Sequence, residues 1–156
     1  MGRITNIELF RQPDQYILTT KKTICIAELP NFLADAMTAI DNHLRKVGMT
    51  ASEVPYAVIH SFRNMDINSV TVGIGYQIPE ITAGTDLIIS ETIPQRDVVS
   101  CYYQGDNFEM EPVYDEMVSW VIRKGREIVG DAYEYYYSEP NVGIENMLTK
   151  IVLPLR

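Results

Sequence analysis

Apolar residues in the first half of the chain follow first a strand pattern and then a helical one. Residues 16–26 are rich in β-branched side chains and predict a strand. After Pro30, apolar residues recur at steps of four and three, which is the spacing of one face of an amphipathic helix. They are Leu33, Met37, Ile40, Leu44 and Val47. We expect Asn31 to cap the start of this helix and Gly48 to end it.

Two more strands complete the first half, and the second half repeats the same order. Residues 56–62 and 70–78 predict strands that are joined by a polar turn at 63–69. In the second half, Pro112 suits the first turn of another helix and Gly125 suits its end. The stripe of this helix is Val113, Met117, Trp120 and Val121. The strands predicted around it are residues 97–103, 132–137 and 147–153.

Corresponding positions in the two halves recur at a nearly constant spacing. Ile26 and Cys101, Val54 and Val129, and Pro79 and Pro154 are each 75 residues apart. This predicts an α+β fold: a duplicated β-α-β-β module with pseudo-twofold symmetry, antiparallel sheets and one main helix per half. Within one domain, repeat one would cover about 16–79, repeat two about 95–155, and a crossover about 80–94. The seam between such halves is a natural place for a concave pocket.

The composition is that of an ordinary globular protein with an acidic surplus. Of the 156 residues, 46% are hydrophobic, and 13 basic against 21 acidic residues give a formal charge of −8. This balance argues against nucleic acid and membranes as partners, because binding to phosphates needs clustered Lys and Arg. The sequence has no apolar run of transmembrane length and no signal-peptide pattern, so we expect a cytoplasmic protein.

The sequence lacks the usual signatures of cofactor and metal sites. Cys25 and Cys101 stand in apolar runs without a neighbouring His or second Cys, so we expect buried reduced thiols, no metal and no cofactor. Gly73 and Gly75 form a G-x-G inside a strand, without the third glycine or following helix of a dinucleotide fingerprint. We expect them to allow close backbone approach or a bend of the strand.

One carboxylate, Glu134, stands among four tyrosines in the run 131–138. Desolvating a carboxylate among aromatic rings is unfavourable unless something pairs with it, whereas an organic cation can lie on the rings and neutralise it. Alternation places Ala132, Glu134 and Tyr136 on one face of the strand, and Tyr133, Tyr135 and Tyr137 on the other. At the repeat spacing Glu134 corresponds to Ile59, which favours a core-like position beneath a helix. The alternative is a solvated Glu134, with the other three tyrosines facing inward.

Five motifs in this order resemble one known family. They are Ser100 to Gly105, Trp120, Ala132 to Tyr136, Glu139-Pro140 and Leu148 to Leu155. With them the chain resembles the GyrI-like small-molecule-binding family, also known as the effector-binding domain of bacterial transcription activators. The likeness covers essentially the whole chain. It implies the duplicated architecture and a groove between the halves that takes bulky, planar, hydrophobic and often cationic compounds.

The resemblance also implies roles for individual residues. Glu134 matches the acidic residue that supplies the countercharge in the family, and Trp120 matches an aromatic position on the second helix. The alternative for Trp120 is a core residue on the helical stripe. The predicted ligand-binding residues are Glu134, Tyr136, Trp120, Tyr102, Phe108 and Tyr76.

Two features separate this chain from many relatives. Lys150 stands where those relatives have a glutamate, and a Lys150 close to Glu134 would pair with it in the absence of ligand. In larger regulators the domain follows a DNA-binding helix-turn-helix, whereas about fifteen residues precede the first repeat here. We therefore expect a stand-alone binding protein, sensor or sink.

Two other functions come with the resemblance. Some stand-alone relatives are hydrolases that open the cyclopropane of DNA-alkylating natural products, and here Glu134 would be the base and Tyr136 or Trp120 the water-positioning group. Glu111 could replace the missing second glutamate, although a charge at the start of a helix is the simpler interpretation. Inhibition of a protein such as DNA gyrase is known for other relatives, but no sequence feature indicates a protein partner.

Overall fold

The computed structural model describes residues 2–139 and 141–156, and these form nine strands and two helices. The strands are β1 (Gly2–Arg3), β2 (Glu8–Gln12), β3 (Gln15–Ile24), β4 (Tyr56–Ile59), β5 (Val70–Ile78), β6 (Ile89–Ile93), β7 (Arg96–Gln104), β8 (Ala132–Tyr136) and β9 (Leu148–Pro154). The helices are α1 (Leu29–Val47) and α2 (Glu111–Arg123). The predicted α+β class, with antiparallel strands and one main helix per half, is confirmed: β3-α1-β4-β5 is followed by β7-α2-β8-β9. Pro140 of the Glu139-Pro140 motif lies outside the described residues.

The two halves share one continuous antiparallel sheet, whereas the repeat predicted antiparallel sheets in the plural. The strand order is β1-β7-β9-β8-β4-β5-β3-β6, with β2 also paired to β7. At the centre, β4 and β8 run antiparallel, and Ala57 lies directly opposite Glu134. Pairing β4 with β8 satisfies backbone groups that two separate sheets would leave at exposed edges. The seam between the repeats is therefore the middle of a continuous sheet.

A two-stranded ribbon ties the two ends of this sheet together. β2 leads directly into β3, and β6 leads directly into β7. Gln12 faces Arg96 where β2 pairs with β7, and Gln15 faces Ile93 where β3 pairs with β6, so one register continues through both pairs. The segment 80–94, expected only as a crossover, thus contributes a strand to the first repeat. The segment before the first repeat contributes two strands, β1 and β2, to the second repeat.

The ends of both helices follow the proline and glycine signals, but Asn31 is not a cap. α1 begins two residues before Asn31 and has Pro30 in its first turn, where the fixed φ of proline fits and its missing N–H is not needed. Gly48 ends α1 in the left-handed conformation, with φ 71°, as predicted. Pro112 lies in the first turn of α2, as expected. That helix ends just before Gly125, whose φ is 70°.

Both helices pack on one face of the sheet, and apolar residues also fill the other face. α2 covers a cluster from β7, β8 and β9, and α1 covers a cluster from β3, β4 and β5. The other face carries a cluster to which both ends and the centre of the sheet contribute, so the sheet curls around it. Its members are Ile17, Tyr56, Val58, Ile93, Val98, Tyr133, Tyr135 and Val152. In the part of the chain that the structure describes, neither helix is long and apolar enough to cross a membrane.

Candidate functional site

Glu134 lies at the centre of the shared sheet, on the face that the helices cover. Its direct neighbours are Ile151 in β9 and Ala57 in β4, and only 5% of Glu134 is exposed. Along its own strand, Ala132 packs in the α2 cluster and Tyr136 packs against the α1 cluster. Glu134 therefore sits between the two helical layers. The alternative of a solvated strand charge is wrong, because both faces of β8 are buried.

Two tyrosine hydroxyls bind the Glu134 carboxylate, one through each oxygen. Tyr136 donates to Oε1 at 2.9 Å, and Tyr114 donates to Oε2. Tyr136 was predicted to accompany Glu134 because the two residues share a strand face. Tyr114 comes from α2 and was not predicted, although it stands three residues before Met117 and thus on the same helical stripe.

An aromatic contact supports Tyr114 from the side. Its ring lies 5.2 Å from the ring of Phe62, at an angle of 43°. Phe62 begins a short 3-10 turn that follows β4, and both rings pack against the α2 cluster. A turn of the first repeat therefore fixes a side chain that belongs to the second repeat. Local sequence patterns do not predict this contact, because it depends on how the two halves meet.

Burial dominates the electrostatics of the site. It raises the pKa of the Glu134 carboxyl above its ordinary value of 4.5, although the hydrogen bonds from Tyr114 and Tyr136 act in the opposite direction. The pKa values of both tyrosines lie well above the ordinary value, because burial and the nearby carboxylate disfavour a tyrosinate. The tyrosines are thus retained as neutral hydrogen-bond donors to Glu134.

No basic side chain pairs with Glu134 among residues 2–139 and 141–156. Lys150 is not its partner, since Lys150 lies directly opposite Tyr135 and Tyr102 and so faces away from the helices. The Lys150 ammonium lies instead near the rings of Phe10 and Tyr102, at 5.5 and 5.9 Å. A buried carboxylate without a cationic partner is costly for a fold to retain.

The other predicted aromatic residues do not surround Glu134. Tyr102 lies on the opposite face of the sheet, because it pairs with Lys150. Phe108 is 73% exposed in the turn before α2. Tyr76 is buried in a separate cluster with α1 residues Ile40 and Leu44. Trp120 is half-buried against the α2 cluster, with Lys124 Nζ 5.3 Å from the centre of its ring.

The remaining candidate polar groups also lie apart from the Glu134 carboxylate. Glu111 is exposed in the first turn of α2, as its helix-start interpretation predicts. Cys101 is buried and burial raises its pKa to about 11, whereas Cys25 is only half-buried. The described residues contain no group of three or more His, Cys, Asp or Glu side chains that could hold a metal ion.

Two surface cavities also lie away from Glu134. The larger has a volume of about 370 Å³ and is lined by residues that include Tyr103, Asp106 and Glu145. The smaller, of about 230 Å³, is an apolar groove beside the end of α2. In this conformation Glu134 is closed off, and Tyr114 is the side chain through which α2 covers it.

Several solved structures share the fold at low sequence identity. The C-terminal domain of EcmrR aligns with a TM-score of 0.82 over 98% of both chains at 14% identity. A hydrolase from Listeria innocua gives 0.70 over 96% of this chain and 91% of its own, also at 14%. SAV2435 bound to tetraphenylphosphonium gives 0.66 over 97% and 94% at 11%. The chain spans 57% of the EcmrR chain in its complex with DNA, where the TM-score is 0.80 over 97% of this chain at 15% identity.

Sequence comparison identifies the family. No curated protein matches the sequence. The family model of the GyrI-like small molecule binding domain, in contrast, matches residues 5–156. The match covers both repeats, the ribbon that joins them and the strand that carries Glu134. The chain therefore belongs to the GyrI-like small molecule binding domain family.

Proposed function

We propose that this protein binds bulky, planar, hydrophobic and often cationic small molecules between the sheet and the helices, with Glu134 as the countercharge. One observation carries the proposal. Glu134 is buried, its two oxygens accept hydrogen bonds from tyrosine hydroxyls, and the described residues provide no cation to pair with it.

The energetics favour a cation as the ligand. A carboxylate removed from water without an opposite charge destabilises the fold, and a bound organic cation would compensate that charge. The rings of Tyr114 and Tyr136 offer π-faces on which such a cation can rest. Covering roughly 300 Å² of ligand surface at about 25 cal/mol per Å² would contribute several kcal/mol. Shape and apolar area would thus set most of the affinity, and Glu134 would set the preference for charge.

Binding at this position requires the site to open. Tyr114 covers Glu134 from α2, so a ligand would separate the two residues and take over the interaction with the carboxylate. Tyr136 shares the strand with Glu134 and would stay in place. The fold match with SAV2435 bound to tetraphenylphosphonium supports the bulky, hydrophobic and cationic character of the proposed ligand, because that compound has all three properties.

A titration with tetraphenylphosphonium tests the proposal. Trp120 is the single tryptophan of the chain and lies on α2, so its fluorescence reports on the helix that must move. We expect saturable quenching, and we expect Glu134→Gln to weaken binding about tenfold or more, as for a lost charge interaction. The exposed Glu80→Gln is the matched control. Triphenylphosphine oxide serves as a neutral ligand of similar shape, and an equal loss of affinity for both ligands would refute the countercharge role.

Hydrolysis is a second candidate, favoured by the raised pKa of Glu134. A carboxylate of raised pKa that lies 2.9 Å from the Tyr136 hydroxyl could accept a proton from a water molecule as the water oxygen bonds to a carbon of a strained ring. The ring C–C bond would break in that step, and the part of the substrate that keeps the bonding electrons would then take up the proton. The test is product analysis after incubation with a cyclopropane-bearing alkylator. Turnover that Glu134→Gln abolishes and Glu111→Gln leaves intact would establish the enzyme. Binding without turnover would exclude hydrolysis of that compound and favour a binding protein that acts as a sensor or sink.

A further inference from the structure

A second group of aromatic rings and charge lies on the sheet face opposite the helices. The Lys150 ammonium lies 5.5 Å from the centre of the Phe10 ring and 5.9 Å from that of Tyr102. The Tyr102 ring is 5.8 Å from the ring of Tyr137, at an angle of 49°. We call these four residues the Lys150 cluster. Phe10 is exposed and the other three are half-buried, so solvent reaches this cluster but not Glu134.

Strand pairing explains why these residues meet. Lys150 in β9 lies directly opposite Tyr102 in β7, and direct partners in an antiparallel pair point to the same face. Phe10 in β2 lies opposite Val98, four residues along β7 from Tyr102 and therefore on that same face. Tyr137 directly follows β8. Three of the four residues therefore lie on paired strands, and the fourth directly follows one.

The charge of Lys150 is not compensated nearby. In the described parts of the chain, Lys150 forms no ion pair with any carboxylate, although the protein carries a formal charge of −8. Its ammonium has three donors and rests between two ring faces. Glu53 lies beside Tyr137, and burial together with the charge of Glu53 raises the pKa of that tyrosine. The cluster thus has a positive charge next to Phe10 and Tyr102 and a negative charge next to Tyr137.

We propose that the Lys150 cluster is a second ligand site, which takes planar aromatic compounds that carry a carboxylate or sulfonate. The rings of Phe10, Tyr102 and Tyr137 provide a surface for stacking, and Lys150 pairs with the anionic group. The site does not depend on the function proposed for Glu134. The two sites lie on opposite faces of one sheet and prefer opposite charges, so both can be occupied at once.

Fluorescence anisotropy of 1-pyrenesulfonate measures binding at this site, and 1-pyrenemethanol is the neutral analogue. We expect Lys150→Met to weaken binding of the sulfonate about tenfold and to leave the affinity for the alcohol unchanged. Lys150→Arg should retain most of the affinity, because it keeps the charge. Glu53→Gln should raise the affinity about twofold by removing the nearby negative charge. The exposed Lys46→Met, at the end of α1, controls for net charge.

Three results would overturn the proposal. The first is that the sulfonate does not bind saturably. The second is that Lys150→Met and Lys46→Met change the affinity for the sulfonate equally. The third is that Lys150→Met lowers the affinities for the sulfonate and the alcohol by the same factor. Should Lys150→Met fail to fold, the retained affinity expected of Lys150→Arg and the raised affinity expected of Glu53→Gln keep the proposal testable, and a large loss in the first or no gain in the second would contradict it. Glu134→Gln should leave the sulfonate affinity unchanged, and so should saturating tetraphenylphosphonium. A failure at either site can therefore be distinguished from a failure at the other.

Discussion

Tyr114 donates a hydrogen bond to Glu134 and thereby joins helix α2 to the centre of the sheet. The next two residues of the helix also bond to other parts of the chain. Asp115 accepts from Arg63 Nη1 at 3.0 Å, and Glu116 accepts from Arg3 Nε at 3.0 Å. Three consecutive side chains thus hold the first half of α2 against the sheet, the turn after β4 and the N-terminal strand.

Removing the Tyr114 hydroxyl should destabilise the free protein. Tyr114→Phe leaves one oxygen of a buried carboxylate without its donor, which we expect to lower the free energy of unfolding by about 1–3 kcal/mol. Urea denaturation at pH 7 measures the effect. Tyr16→Phe, at a half-buried position of β3, is the matched control. Equal losses of unfolding free energy in the two variants would mean that the hydrogen bond from Tyr114 to Glu134 adds no more stability than the hydroxyl of Tyr16.

Glu134 should make the stability of the protein depend on pH. Because its pKa in the folded protein is raised above 4.5, the folded state holds a proton that the unfolded state has already released. The contribution of Glu134 is therefore most favourable below pH 4.5, and it declines as the pH rises from there through the raised pKa. Glu134→Gln lacks this decline, so its stability relative to the wild type should increase over that range. Denaturation curves at several pH values measure the difference, and a constant difference would contradict the raised pKa.

Removing the ion pair between Arg3 and Glu116 of α2 should speed ligand entry. Arg3 and Glu116 are only partly buried, so Arg3→Met should cost about 0.2–1 kcal/mol of stability and ease the separation of Tyr114 from Glu134. We expect faster association of tetraphenylphosphonium in stopped-flow measurements. Arg156→Met, which removes the remote pair with Glu127, should have no such effect. An unchanged association rate in Arg3→Met would show that α2 does not limit entry.

Gly75 should tolerate no side chain. A Cβ at this position would lie 2.8 Å from both the Leu18 carbonyl oxygen and the Tyr56 hydroxyl, as the expectation of close approach at this G-x-G implies. Gly75→Ala should therefore lower the free energy of unfolding by about 1–3 kcal/mol. Thermal denaturation measures the loss. Adding Tyr56→Phe should recover part of it in a double-mutant cycle, and strict additivity would show that the two residues do not conflict.

Periodicity predicted the repeated elements of the fold but not the strands that join them. The expected strand 70–78 matches β5 in both bounds, because it is a nearly continuous apolar run in which seven of the nine residues are buried. β2 and β6 gave no such signal. Four of the five β2 residues are exposed, and only Ile93 in β6 is buried. These strands exist because of pairing with β7 and β3, which local sequence does not encode.

The sequence predicts only the part of the candidate site that lies on a single strand. Alternation places Tyr136 beside Glu134, and that proximity is now seen as a hydrogen bond. Tyr114 reaches Glu134 only because α2 lies across β8, an arrangement set by packing between distant segments. Tyr102 shares the aromatic character expected of a ligand wall, but the register of β7 with β9 turns it to the other face. Composition thus identified suitable residue types, and strand register decided which of them meet.

The ribbon that ties the ends of the sheet has a consequence for how this molecule arose and how it unfolds. Each repeat completes its sheet with strands from a neighbouring segment, and β4, which pairs with β5 along one edge, finds the partner for its other edge in β8 of the other repeat. A single β-α-β-β unit would present bare edges on both sides, so an ancestral unit of half this length would have existed only as a symmetric pair of chains. The fused descendant should melt in one cooperative step, because neither half can hold its structure after the other is lost.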